Sequence, residues 1–527
     1  MRLPWLVPRP MICVMARQGN RAAALLALIL VAAIMGRAAA DTVLRIGVLG
    51  VPPTKGQPYA SMNAPTIYTW AAVFDSLTFV GHDGQVRPWL ATSWRNLDPL
   101  TWEFSLRQGV TFSNGEPFTA DAVVNAVGYL TSAEAQGDVV ATMLNSLDRA
   151  WAVGDETVII KTKTPNPMLP REAATLRVVA PRHWRALGPD GFALQPHGTG
   201  PFQVERFEDG RVLMKANPGS WRPPTFERLD VRAVPDGPSR IQGILSGQLD
   251  IILGTSPDQL QSLTDAGHQV DVVQGSGAFG FSFILNPKHP NFGPGSTPLL
   301  DVRVRQALNY GVNKERLVAG LIDGRTTVAS QPAPPIAFGY DPDLKPYPYD
   351  PGKAKALLAE AGYPEGFDLV LEVNPGGSIP NGAAIYQQMA EDLRAIGVRV
   401  ELRTFSMLQY LRALHQGEFK GQGFVMDFPA APSMDALRAM KLHSCWWKTP
   451  FLCVPEDQVL IDSIAQEFDM DRRRSMTQSL MRRYYDQAYA IYLFNMVDFY
   501  GIRKGLTGFE AESLFIRYDL IRDAAVE

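Results

Sequence analysis

Residues 91–127 read ATSWRNLDPLTWEFSLRQGVTFSNGEPFTADAVVNAV. Thr101 to Leu106 alternates, with Trp102, Phe104 and Leu106 on one face, as a half-buried strand does. Ser113-Asn114-Gly115 predicts a turn, because Asn and Gly tolerate positive φ. Thr119 is placed to cap a helix, with Asp121 near its positive end. Strand, turn and helix in close succession predict an α/β protein.

The flanking sequence extends that pattern. Thr42–Val48 reads as a strand, and Ile67–Leu77 as a helix with Trp70, Val73, Phe74 and Leu77 on its apolar face. Trp151–Thr162 predicts a hairpin turning at Gly154-Asp155. Ser239–Ser246 predicts a helix stopped at Gly247 and leading into a strand at Asp250–Leu253. Asp301, Asn313 and Asp350 stand where helix caps belong, and Gly362 where a helix stops. Ala383–Ile396 predicts a helix feeding the strand Val398–Thr404, half of a βαβ unit. Asp471–Gln487 predicts a helix before the apolar strand Ala490–Val497. No internal repeat or low-complexity tract appears.

Residues 1–40 read as a cleaved signal peptide. Arginines precede the apolar run Ala22–Met35, which is short for a membrane span, and Ala38-Ala39-Ala40 supplies the small residues of a cleavage site. Met11 and Met15 are alternative starts. The segment holds five arginines and no Lys, Asp or Glu, so its loss takes the formal charge from −3 to −8. That balance offers nothing to nucleic acid. Cleavage leaves Cys445 and Cys453, which in an exported protein read as a disulfide closing a short loop, worth roughly 2.5 kcal/mol by chain entropy. Zinc bound by these two with His443 is the alternative; oxidation wins in an oxidising compartment.

Catalytic signatures are weak. GSGAFG at residues 275–280 matches GxGxxG, but a strand-like FSFILN follows it where a nucleotide fold needs a helix. No GxxxxGK[ST], GxSxG or HExxH occurs, so no catalytic residue, metal ligand set or cofactor is expected.

The opening segment resembles a signature stretch of the peptide/nickel-type solute-binding proteins of ABC importers, family 5. Five further stretches resemble the family in its own order: GTGPF at 198–202, NPGSW at 217–221, SGQLDI at 246–251, LLDVRVRQALNYGVNKERLV at 299–318 and YDPGKAKALLAEAGYPEGF at 349–367. Ser220 departs where the family usually has Tyr. The resemblance implies a two-lobed, type II periplasmic-binding-protein fold with an inserted subdomain. Lobe I would combine 41–80, 197–275 and 498–527, the insertion 81–196, and lobe II 276–497. Strands crossing near residues 275–283 and 490–500 would form the hinge.

The same resemblance implies a monomeric, periplasmic receptor, not an enzyme. It would capture a peptide or another amine-bearing solute such as an opine and deliver it to a permease driven by an ATPase subunit. A sugar or metal-chelate receptor, or an exported hydrolase, is the alternative. In peptide-binding relatives the stretch matching GFVMDF, residues 423–428, carries an Asp that pairs with the ligand's α-amino group; Asp427 falls on that position. A carboxylate capping a turn before Pro429 is the other reading. Phe424 replaces the family Trp, and Ala430-Ala431-Pro432 replaces a more polar run, so a more apolar pocket is expected. Phe428, Phe279 and Tyr68 are further candidates for ligand contact, with Tyr59 beside them. Trp446 and Trp447 either wall a pocket or pack their loop.

Overall fold

The computed structural model describes residues 42–375, 379, 381–512 and 515–524. The predicted signal segment and its cleavage site lie outside them. Ten strands form one mixed sheet: β1 (Val43–Val48), β2 (Phe202–Glu208), β3 (Arg211–Ala216), β4 (Arg228–Ala233), β5 (Ile251–Leu253), β6 (Gln269–Phe283), β7 (Asp368–Val373), β8 (Arg399–Thr404), β9 (Gly423–Pro429) and β10 (Ala490–Ile502). Their order across the sheet is β8-β7-β9-β6-β10-β5-β1-β4-β3-β2. β7 runs parallel to β8, as the predicted βαβ unit requires.

Two hydrophobic cores lie along this sheet. One gathers Trp70, Phe104, Val123, Val231 and Tyr518, and the other Phe281, Leu308, Met389, Phe424 and Leu480. The two longest strands, β6 and β10, pair from one core to the other. Ser282 stands opposite Ala490 at one end, and Gln269 opposite Ile502 at the other. Both exceed their predicted extents, because each inner residue has a ladder partner on the next strand. The pairing slips between Gln274 and Ala278. GSGAFG therefore lies inside a strand, and its glycines admit close neighbours. A Cβ on Gly277 would stand 2.3 Å from the Phe428 carbonyl oxygen, and one on Gly275 2.0 Å from that of Met496. Backbone cannot swing aside as a side chain can. Gly277→Ala is accordingly expected to lower stability by about 1–3 kcal/mol, visible as a lower melting midpoint; an unchanged midpoint would contradict this account.

The opening segment forms two strands of a second, antiparallel four-stranded sheet, Ala91–Asp98 and Thr101–Leu106, joined by Thr157–Thr162 and Leu147–Ala152. Trp102, Phe104 and Leu106 are buried together, and Gly115 takes φ 84° in the predicted turn. Helix Ala120–Leu130 starts directly after Thr119, whose side chain makes no capping bond. The caps Asp301, Asn313 and Asp350 do accept backbone N–H bonds from the first turns of their helices.

The predicted helix Ile67–Leu77 is shorter, Ala64–Trp70. Tertiary contacts take the carbonyls that would have continued it: Gly200 N donates to Val73 O and Phe202 N to Ala72 O. The reason sits at Asp75, whose side chain is fully buried. It accepts from Trp89 Nε1 at 2.8 Å, Thr199 Oγ1 at 2.7 Å, Trp221 Nε1 at 3.0 Å and Arg222 Nε at 2.9 Å. Arg222 also reaches Asp519 at 2.9 Å and the Ala71 carbonyl at 3.1 Å. The GTGPF and NPGSW motifs thus meet at one buried carboxylate, and Arg222 links it to Asp519 in the C-terminal segment.

Candidate functional site

Asp427 stands on β9 opposite Phe279 of β6, and Phe279 in turn faces Phe494 of β10. Phe279 is buried, with its ring 5.1 Å from Phe494 and 6.3 Å from Tyr386. It is the lateral neighbour of Asp427 in the sheet. Two phenols crowd the same carboxylate, and burial together with the Asp427 charge raises the pKa of both Tyr386 and Tyr410. Their hydroxyls point elsewhere, Tyr386 to the Asn374 carbonyl at 3.3 Å and Tyr410 to Met426 Sδ at 3.8 Å.

Asp427 keeps part of its surface open, yet its carboxyl is desolvated enough to rise from 3.8 to about 6. Among the described residues no hydrogen bond or ion pair reaches it, so it caps no turn. A desolvated carboxylate without a partner is a costly group to keep, and it is suited to receive a cation.

The other candidates separate. Phe428 points to the opposite face of β9 and is buried, stacked on His443 at 5.0 Å and edge-on to Tyr492 at 5.2 Å. The structure does not bring it to Asp427, because adjacent strand residues face opposite ways. Tyr59 is likewise core, its hydroxyl donating to the Arg177 carbonyl at 3.0 Å.

Trp446 and Trp447 line a cavity of about 600 Å³ between the segments 142–175 and 429–473. That volume suits a small ligand. Trp446 is 42% exposed, whereas Trp447 Nε1 donates to the Leu414 carbonyl at 3.2 Å. Cys445 and Cys453 are bonded as a disulfide beside them. Arg438 lines the same cavity and donates to the Pro429 carbonyl at 2.9 Å, burial having lowered its guanidinium to about 10. Arg171 ties the two walls, donating to the Gly84 carbonyl at 2.6 Å and the Ser433 carbonyl at 3.0 Å.

Tyr68 lines a second cavity of about 290 Å³, with Leu49, Thr255, Ile379 and Asp498. Its hydroxyl lies 3.1 Å from that of Tyr500. Asp498 is a residue that sequence reasoning missed. Its carboxyl also rises to about 6 through burial. The available signal was one acidic residue in the apolar run NMVDFYGI, just past the predicted end of the strand.

Similarity to known proteins agrees with this architecture. Residues 85–434 match the family described as bacterial extracellular solute-binding proteins, family 5 middle. The chain is 26% identical to the dipeptide-binding protein of Escherichia coli, over 82% of this chain and 84% of that protein. It is 30% identical to heme-binding protein A of Haemophilus influenzae, over 68% and 72% respectively. The solved structure of HbpA2 from Haemophilus parasuis superposes with a TM-score of 0.77 at 24% identity, covering 91% of this chain and 99% of that one.

Proposed function

The chain belongs to the bacterial extracellular solute-binding proteins of family 5, binding proteins and not enzymes, and from that premise we propose that it is the exported receptor of an ABC importer for a peptide or another amine-bearing solute. The two cores act as lobes, with boundaries near residues 80, 196, 275 and 497, and the crossing strands β6 and β10 serve as the hinge. Closure presents the loaded monomer to a membrane permease, while an ATPase subunit supplies the energy. The signal segment directs the chain to the periplasm.

Asp427 anchors the ligand's ammonium group. The observation that carries this reading is its desolvated carboxylate, which has no partner among the described residues and stands beside the crossing strands. An ammonium restores the lost interactions, and a neutral analogue leaves them unmade. The peptide-binding relatives by name support a peptide ligand.

The test is a thermal-shift panel on residues 41–527 with di- to pentapeptides, opines, amino acids, oligosaccharides and nickel. A ligand at one hundred times its Kd adds roughly 2.7 kcal/mol to the native state. Stabilisation by peptides or opines is expected. Stabilisation by sugars or nickel alone would remove Asp427 as an amine anchor, and turnover of a peptide or ester would refute the receptor reading.

A further inference from the structure

A second desolvated carboxylate, Asp498, lies on the crossing strand β10. Asp427, Phe279 and Phe494 are in lateral register, and Asp498 follows Phe494 by four residues on β10, past the slip in the β6 and β10 pairing. Two inter-strand steps and four residues of rise separate their Cα positions by about 16 Å. Asp498 lines the 290 Å³ cavity with Tyr68 of one core and Ile379 of the other, which places it where the two lobes face each other. Among the described residues no hydrogen bond or ion pair reaches its carboxylate. Among the described residues the one cationic side chain lining that cavity is Arg240, which donates to the carbonyls of Val234 at 2.6 Å, Pro235 at 2.9 Å and Gly254 at 2.5 Å, while its Nε makes no hydrogen bond.

We propose that Asp498 is a second cation anchor, and that the ligand is a peptide whose N-terminal ammonium meets Asp427 while a basic side chain at its second or third residue meets Asp498. The inference rests on the amine-anchor reading of Asp427. An extended tripeptide with a terminal lysine covers the span. Tyr68 and Leu49 give its aliphatic stem an apolar wall, and the charged end reaches the carboxylate. A neutral side chain of the same length fills the cavity but leaves Asp498 unpaired, which is the basis of discrimination.

The experiment measures Kd by calorimetry for Ala-Ala-Lys, for its uncharged isostere Ala-Ala-norleucine, and for spermidine, with the wild type, Asp498→Asn and Asp427→Asn. The lysine peptide is expected to bind at least tenfold more tightly than the norleucine peptide. Asp498→Asn should erase that preference and still bind the norleucine peptide, which shows that the variant is folded. Asp427→Asn should weaken both peptides together. Equal wild-type affinity for the two peptides overturns the role of Asp498 and leaves Asp427 standing. Loss of preference in Asp498→Asn with unchanged binding by Asp427→Asn supports Asp498 and removes Asp427. Binding of spermidine without either peptide overturns the peptide source, and binding of none of the three overturns both readings.

Discussion

Asp427→Asn is expected to raise the melting midpoint of the ligand-free protein at pH 7.5 while weakening an amine ligand roughly 30- to 1000-fold, from about 2–4 kcal/mol lost with a desolvated charge pair. The two effects share one cause. With its carboxyl at about 6 rather than 3.8, the folded chain holds a proton between about pH 4 and 6 that the unfolded chain releases. Stability therefore falls as pH rises through that window and stays lower above it. Asparagine removes the unpaired charge and returns about 1–3 kcal/mol at neutral pH. Ligand affinity has the opposite pH course. An ammonium needs the ionised carboxylate, so wild-type affinity should be greatest near pH 7, fall about tenfold per unit below pH 6, and decline again toward pH 8 as the ligand's α-amine, with a pKa of about 8, loses its proton; the variant should show no fall on the acid side. Paired melting and calorimetric titrations from pH 5 to 8 check both. A variant that melts lower and binds as before would mean that Asp427 holds the fold together instead.

The second large effect concerns stability alone. Arg222→Ala should cost about 3–5 kcal/mol, the usual loss when one partner of a buried ion pair is removed. Among the described residues, Asp75 would keep its bonds from Trp89, Thr199 and Trp221 but lose its only cation, and Asp519 would lose one of its two arginines. Because Asp75 is fully buried, solvent cannot replace the guanidinium. The denaturation midpoint in guanidinium chloride measures the loss, and Arg222→Ala combined with Asp75→Asn should cost less than the two single effects added together. A change within 0.5 kcal/mol, the ordinary surface range, would show that the three neutral donors suffice.

Much of the architecture was legible in the sequence because local chemistry and tertiary contacts agree there. Trp102, Phe104 and Leu106 alternate and are buried together, and Asp301, Asn313 and Asp350 cap the helices that follow them. Where contacts distant in sequence decide, the reading ran out. The helix after Ala64 stops early because residues 200 and 202 take its carbonyls. The extra length of β6 and β10 depends on each strand having the other as partner. A motif match singled out Asp427 as a candidate, but side-chain direction along β9 separates it from Phe428. Asp498 acquires meaning only when β10 is laid beside Tyr68 and Ile379.

The strand order also constrains how the chain comes together in time. β5 finds one neighbour in β1, already synthesised, and the other in residues 500–502 at the far end of the chain. Tyr500 and Tyr518 belong to the core built around Trp70. That core therefore cannot be completed until residues 500–502 have emerged, and its closing contacts span hundreds of residues, an arrangement that makes folding slow. Such delay suits the proposed export: the half that leaves the ribosome first lacks the strand it needs to lock. Removal of the last 30 residues should then leave a collapsed, protease-sensitive chain rather than one folded lobe.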